Sequence, residues 1–564
     1  MKKFLLSLLP LTCSLVFAQN QILVVSGGDD PGLNHYSQYL QTKTLYENLL
    51  ARYGQNAVSI YFGAGNNETT LNPLLDVHKI ENTKEDKYNK TDVMLAGIIP
   101  NNQMASKGNV SSYFFSPASQ KINSKQNFLL FVSDHGMPDA FSEEKENNPY
   151  VNNCIDLWHY DQKLINNFTN APDFYKACLS KNELSSLLNQ INAQHIIFQM
   201  SQCFSGGFHQ LSVSYKDIYP SANPKICGFT AITPDHGASG CTADADGATY
   251  QGYERSFTEW YTGIDILTGK KIREPAPTMF SAHRNATLED MTMDIPLSTS
   301  DYYLLEWATL FSKEHFISRT PQYNGKLIND IYNNYQGIIP ELDDPELDDF
   351  LKMAKLSEQK IRKIVPMATS FPQLSLKAQE EKIKQLEQQI KEQGKVLTTT
   401  WDGMMNVYLN IITPVWEQAL KQRQIDLLSD KEYRFEREFY QTIIAKRLYQ
   451  HPYQFDMYYL QYLSMNNNDP NLVLYQKNRV EKIKQWGLAH QNQTLSNAID
   501  YWQTLNKKQT KLKDQLDEEE KRKQLLNRIL TYNKIIAAWV TLIKIEDKTA
   551  LNELQGLIEC EHAA

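Results

Sequence analysis

The sequence predicts an α/β fold, a mostly parallel sheet between helices, followed by an all-helical C-terminal domain. Within the first 300 residues, short apolar runs that end in glycine or polar residues alternate with helical stretches. That alternation is the mark of parallel strands joined by helical crossovers. Beyond about residue 300 strand signals vanish, Lys, Glu, Gln and Leu dominate, and Tyr is frequent. The 564 residues allow about two to four domains at roughly 150 residues each. The expected division is a signal peptide at 1–18, an α/β domain at 19–300, a connecting segment at 301–345 and a helical domain at 346–564.

Gln21 to Val25 is a short apolar run that breaks at Ser26-Gly27-Gly28, a buried strand entering a loop. A helical stretch follows from about Tyr39 to Tyr53, then a strand from Ala57 to Phe62. Phe128 to Val132 is a second buried strand. Asn182 to Ile191 is a helix capped by Asn182 or Ser180, and His195 to Met200 and Cys227 to Thr233 are further strands. Pro340-Glu341-Leu342-Asp343-Asp344 is repeated at once as Pro345-Glu346-Leu347-Asp348-Asp349, a turn and helix-start signal that marks a boundary. Leu376, Ile383, Ile390 and Leu397 then fall at seven-residue spacing with Leu386 between them. This suits a helical hairpin or short coiled coil, not a long rod. Lys507 to Gln524 reads as a mixed-charge helix with a solvated face.

Composition narrows the function. The chain is 41% hydrophobic and 22% charged, a globular mix that argues against a mainly disordered chain. Lys and Arg number 57 against 65 Asp and Glu, a net charge of −8, which gives no global pull toward nucleic acid or anionic membrane. Lys2 and Lys3 precede an apolar run from Phe4 to Val16, with a cleavage position after Ala18. These are the parts of a secretory signal peptide, and the run is shorter than the ~20 apolar residues of a spanning helix. A secreted or periplasmic protein starting at Gln19 is expected, with no stable membrane insertion. Ile535 to Ile543 is also too short to span. In an oxidising compartment Cys154–Cys178 and Cys227–Cys241 are plausible bridges that would leave Cys203 and Cys560 free, although spacing leaves the connectivity open.

Two segments place reactive residues just past buried strands: Ser133-Asp134-His135-Gly136 and Ser201-Gln202-Cys203-Phe204-Ser205-Gly206-Gly207. Functional groups gather beyond the carboxyl ends of strands in open parallel sheets. If the two strands are neighbours, a base and a thiol come within reach. An imidazole favours the thiolate, the actual nucleophile in acyl transfer, and later protonates the leaving amine. Gly136, Gly206 and Gly207 permit tight turns and close approach by a substrate. The Gly136 and Cys203 amides are the candidate oxyanion donors, a role typically worth ~3 kcal/mol per donor. A second Asp235-His236-Gly237 follows the strand at Cys227 to Thr233 and supplies a rival base. Asp134 reads as a turn residue and His195 as structural. His35, His159 and His209 lack metal-ligand spacing, so no metal or cofactor is expected. Asp244-Ala245-Asp246-Gly247 reads as a turn. Pro138 to Phe174 is polar and reads as an exposed insertion near the mouth of the site.

The order of strand, Asp-His-Gly, helix, strand and Cys-x-Ser-Gly resembles the caspase–haemoglobinase class of cysteine peptidases, with legumain as the nearest family and bacterial caspase-like proteins almost as near. Thr230-Ala231-Ile232-Thr233-Pro234, Cys241, Thr249-Tyr250-Gln251-Gly252 and Ser256 to Trp260 track legumain in order and spacing. The resemblance covers roughly residues 20 to 265. It implies a caspase–haemoglobinase-like sheet, Cys203 as nucleophile, His135 as base, and Asn34 as the residue that orients the histidine. Legumains read asparagine with an Arg after the early Asn, a Glu two before the nucleophile and an acid past the Tyr-x-Gly segment. The matching positions here hold Tyr36, Ser201, and Tyr253 or Glu254, so asparagine specificity does not carry over. Tyr36, Ser201, Ser239 and Glu254 are the candidate substrate-binding residues.

The leading expectation is a secreted cysteine endopeptidase acting on proteins or peptides. A transpeptidase using the same thioester, and a non-catalytic binding protein on a degenerate peptidase fold, are the alternatives. By analogy with legumain precursors, the helical region is expected to contact the active site as an inhibitory or gating cover, or else to bind a partner.

Overall fold

The computed structural model describes residues 20–29, 33–66, 73–82, 86–95, 99–138, 152–159, 177–216, 219–240, 251–312, 344–365, 375–397, 399–400 and 493–564. The leader at 1–18, Cys241, Thr249-Tyr250, the Asp244–Gly247 loop and residues 313–343 of the connecting segment lie outside them.

The strands in chain order are β1 (Gln21–Gly27), β2 (Val58–Phe62), β3 (Pro73–Asn82), β4 (Asp86–Leu95), β5 (Phe128–Met137), β6 (Cys154–Asp156), β7 (Cys178–Ser180), β8 (Ile196–Met200), β9 (Val213–Lys216), β10 (Tyr219–Ala222), β11 (Ile226–Thr230) and β12 (Leu297–Ser298). The helices are α1 (Tyr36–Tyr53), α2 (Lys107–Tyr113), α3 (Pro117–Gln120), α4 (Lys181–Leu188), α5 (Tyr253–Thr262), α6 (Met279–Glu289), α7 (Thr299–Ser312), α8 (Pro345–Ile364), α9 (375–397), α10 (Gln493–Ile545) and α11 (Lys548–Glu561).

The central sheet runs β12-β11-β8-β5-β1-β2, parallel except at β12. Its inner strands are unbroken apolar runs because both faces are covered. Ile22, Val24, Leu129, Phe131 and Ile197 face one core with α1, α5 and α6. Leu23, Val25, Leu130, Val132 and Phe198 face the other, with Val110, Trp158 and Leu184. Ser180 caps α4, its side chain accepting from the Glu183 amide while Glu183 reaches back to the Ser180 amide, a reciprocal pair that satisfies two otherwise orphaned donors.

Within the stretch at 138–174, the described residues 152–159 depart from an exposed insertion. Cys154 to Trp158 is buried, and β6 pairs antiparallel with the far end of β5, His135 opposite Asp156. Three strand residues among polar neighbours are too few to show a period. Cys154 and Cys178 form a disulfide that ties β6 to β7. The second bridge is not Cys227–Cys241. Cys227 pairs with Cys560, 333 residues away, because α11 returns the end of the chain to the middle of the sheet. Cys560 is therefore not free.

The helical region is built onto the sheet domain. α7, α8, α10 and α11 share one core that includes Tyr303, Phe350, Tyr532, Trp539 and Leu557, and the apolar run at Ile535 to Ile543 is part of it. α10 has 53 residues, about 80 Å of helix. The heptad segment at 376–397 falls within the much shorter α9 and forms one arm of a helical pair with α10. α9 lies antiparallel along it, with Gln379 donating to the Glu519 carbonyl at 3.0 Å and Gln393 to the Leu505 carbonyl at 3.5 Å. Glu519 is buried and pairs with Lys382 and Arg522, so the mixed-charge stretch is not solvated on every face. Among the described residues no helix is long and apolar enough to cross a membrane.

Candidate active site

β5 and β8 are direct neighbours, with Val132 opposite Met200. The continuation of each strand carries its chemistry to one place. A Cβ on Gly136 would stand 2.0 Å from the Cys203 carbonyl oxygen and 2.8 Å from Gln202 Cγ. Glycine is required at 136 by this close approach. His135 Nε2 lies 2.9 Å from the Leu33 carbonyl oxygen. A carbonyl only accepts, so the hydrogen sits on Nε2 and the basic lone pair on Nδ1. One contact to His135 thus comes from the backbone next to Asn34. Asn34 itself is fully buried, its Oδ1 3.2 Å from where a Cβ on Gly27 would stand. His35 meets His135 edge to face at 4.9 Å. From the sequence, His35 is weighed only as a metal ligand, and its one clue is adjacency to Asn34.

Cys203 is half-buried and is the unbridged cysteine among the described residues. The Ala238 amide donates to its sulfur at 3.3 Å. A donor aimed at sulfur favours the thiolate. Phe204 follows with φ +61°, a left-handed conformation that costs a non-glycine residue about 1–2 kcal/mol. Hydrogen bonds on both sides hold it there: its amide donates to the His236 carbonyl at 2.8 Å, and Asn153 Nδ2 donates to its carbonyl at 2.9 Å. Asn153 Nδ2 also donates to the Pro234 carbonyl at 2.9 Å. One buried amide thereby joins the Cys203-Phe204 turn to the loop that bears His236 and Ala238. Gly206 and Gly207 serve this packing, since a Cβ there would stand 2.5 Å from the Ile232 carbonyl oxygen and 2.5 Å from Asn153 Nδ2 respectively. The chain that approaches these glycines so closely is the protein's own.

The expected substrate-binding residues divide. Ser201 is buried, and its hydroxyl donates to the Val132 carbonyl at 3.2 Å. Glu254 is buried on α5 and is hydrogen-bonded by Ser133 and Ser201. Burial pushes its carboxyl up to about 7, the two serines oppose that, and negative charge on Cys203 adds to the rise. Ser133 in turn joins Ser26 and Thr42 in a polar file across β1 and β5. Tyr36 stacks on Tyr39 at 5.9 Å. Ser239 is half-buried, its amide donating to Asp294 Oδ1 at 2.5 Å. Asp134 is buried and accepts from the His135 amide at 2.7 Å. Burial, then the Asp156 carboxylate, holds its carboxyl well above the usual range. His236, the rival base, pairs with Asp235 at 2.8 Å on the exposed side of the loop. His209 is buried between Thr230 and Thr299, and burial lowers it to about 3, a core histidine. Among the described residues no three His, Cys, Asp or Glu side chains converge as a metal site.

Comparison with protein-family models and with curated proteins finds no match to this chain.

Proposed function

We propose that the chain is an exported cysteine endopeptidase of the caspase–haemoglobinase kind. The observation that carries the reading is the register of β5 and β8, which sets the His135-Gly136 backbone against Cys203. The Cys203 thiolate adds to the peptide carbonyl carbon and forms a C–S bond. The oxyanion is held by the Gly136 and Cys203 amides. Protonated His135 gives its proton to the amide nitrogen as the C–N bond breaks, leaving a thioester and a free amine. Water then loses a proton to His135, adds to the thioester carbonyl and releases the acid and the thiol. The two disulfides support an oxidising compartment, in keeping with export through the leader at 1–18.

The test uses protein from Gln19 onward, a Cys203→Ala twin, and a peptide library under mild reduction with new termini read by mass spectrometry. Cleavage after a consistent residue, absent in the twin, is the expected result and supplies the specificity. His135→Ala is expected to abolish cleavage and His236→Ala to retain it. The opposite pattern makes His236 the base, and no cleavage by any form overturns the reading.

A further inference from the structure

Arg528 is among the largest fully buried side chains of the described residues. It lies on α10, in the helical region, yet all its partners belong to one turn of the sheet domain. Nε donates to the Asp294 carbonyl at 2.7 Å, Nη1 to the Asp290 carbonyl at 2.6 Å, and Nη2 to Asp290 Oδ2 at 2.9 Å and to the Thr292 carbonyl at 3.2 Å. A planar guanidinium is suited to fixing several acceptors in one geometry.

What the turn then holds is the wall of the candidate site. Asp294 is fully buried, and its two oxygens accept from the Ser239 amide at 2.5 Å and the Tyr253 amide at 2.9 Å. Tyr253 opens α5, whose N-cap, Gly252, has no side chain to offer. Asp294 supplies the missing carboxylate at the positive end of that helix. The residues next to its two partners are the ones that meet the nucleophile: Ala238 donates to the Cys203 sulfur, and Glu254 interacts electrostatically with it.

We propose that Arg528 is a positioning residue for the Cys203 site, fixing the Asp290–Asp294 turn so that Asp294, through the Ser239 amide, sets the Ala238 amide on the sulfur. The helical region is then a working part of the site. A cover that merely blocks substrate would leave Cys203 unchanged when its contacts are weakened; this relay would not. The inference rests on Cys203 being the nucleophile, but its test does not require peptide cleavage.

Arg528→Lys keeps the charge and loses the fork, and Asp294→Asn keeps the size and loses one acceptor. Both are made in the full chain from Gln19, and alkylation of Cys203 by iodoacetamide is followed against pH by mass spectrometry, alongside thermal unfolding. The titratable residues of the site region, Glu254, His135 and His236, are not substituted in either variant. The expected result is a cooperative melt with an alkylation profile moved to higher pH, lowering the neutral-pH rate about tenfold, the equivalent of about one pKa unit. Profiles that coincide with the unaltered protein overturn the proposal. Loss of folding in both variants also overturns it, since the network is then only structural. Shifted profiles in a protein that cleaves no peptide keep the relay and discard the peptidase reading.

Discussion

Changing Cys227 and Cys560 together to alanine opens the bridge that ties the last helix to the middle of the sheet. The cross-link spans 333 residues, whereas Cys154–Cys178 spans 24. Chain-entropy arithmetic gives about 5.8 kcal/mol for the longer loop and about 3.5 kcal/mol for the shorter. The loops do not overlap, so the two losses are independent. Each double variant removes the same atoms from buried positions, so the packing cost largely cancels in the comparison. The remaining difference is about 2.3 kcal/mol, the value of 1.5RT times the logarithm of the loop ratio. Urea unfolding of the unaltered protein and both double variants, without reductant, measures it. The Cys227/Cys560 pair is expected to cost more. Equal losses, or a larger loss for Cys154/Cys178, would refute a stabilisation set by loop length and point instead to structure retained in the unfolded chain.

Three further outcomes are expected. Glu254 has its carboxyl raised to about 7, so the folded state holds a proton that the unfolded chain releases near 4.5; stability falls as pH rises between those values, by about 3 kcal/mol. Glu254→Gln removes that fall, and the difference between the two stability–pH curves isolates it from Glu561, which burial also raises. Gly136→Ala drives a Cβ onto the Cys203 carbonyl and is expected to lower kcat/KM by more than about 100-fold, the scale of losing an oxyanion donor; full activity would show that the two backbones separate freely. Asn153→Ala removes the donor that the Phe204 and Pro234 carbonyls share; the Phe204 carbonyl keeps the Gly207 amide, so the loss in urea unfolding should be about 1–3 kcal/mol, the scale of one buried group losing its partner. A loss under about 0.5 kcal/mol would mean that the Cys203-Phe204 turn does not depend on it.

The parallel strands were legible because each is a continuous apolar run, the pattern that burial on both faces demands. His135 and Cys203 were legible because each stands a few residues past such a run. One pairing, β5 beside β8, then sufficed to bring them together. The helix expected at Asn182 to Ile191 with Asn182 or Ser180 as cap is α4, and of the two it is Ser180 that caps it. Short-range chemistry and periodicity are written locally, so a sequence discloses them.

The tertiary structure alone decided what depends on residues distant along the chain. Cys227 has no local reason to prefer Cys560 to Cys241; α11 must first pack before the two sulfurs meet. β6 is too short to display a period and becomes a strand only because the end of β5 offers unpaired backbone. Arg528 reads as one more basic residue in a charged helix until the Asp290–Asp294 turn closes around it and makes its burial tolerable. Glu254 reads as a pocket acid but is buried and bonded by Ser133 of β5 and by Ser201 just past β8. In each case the deciding quantity is the desolvation of a polar or reactive group, and that is fixed only when every neighbour is in place.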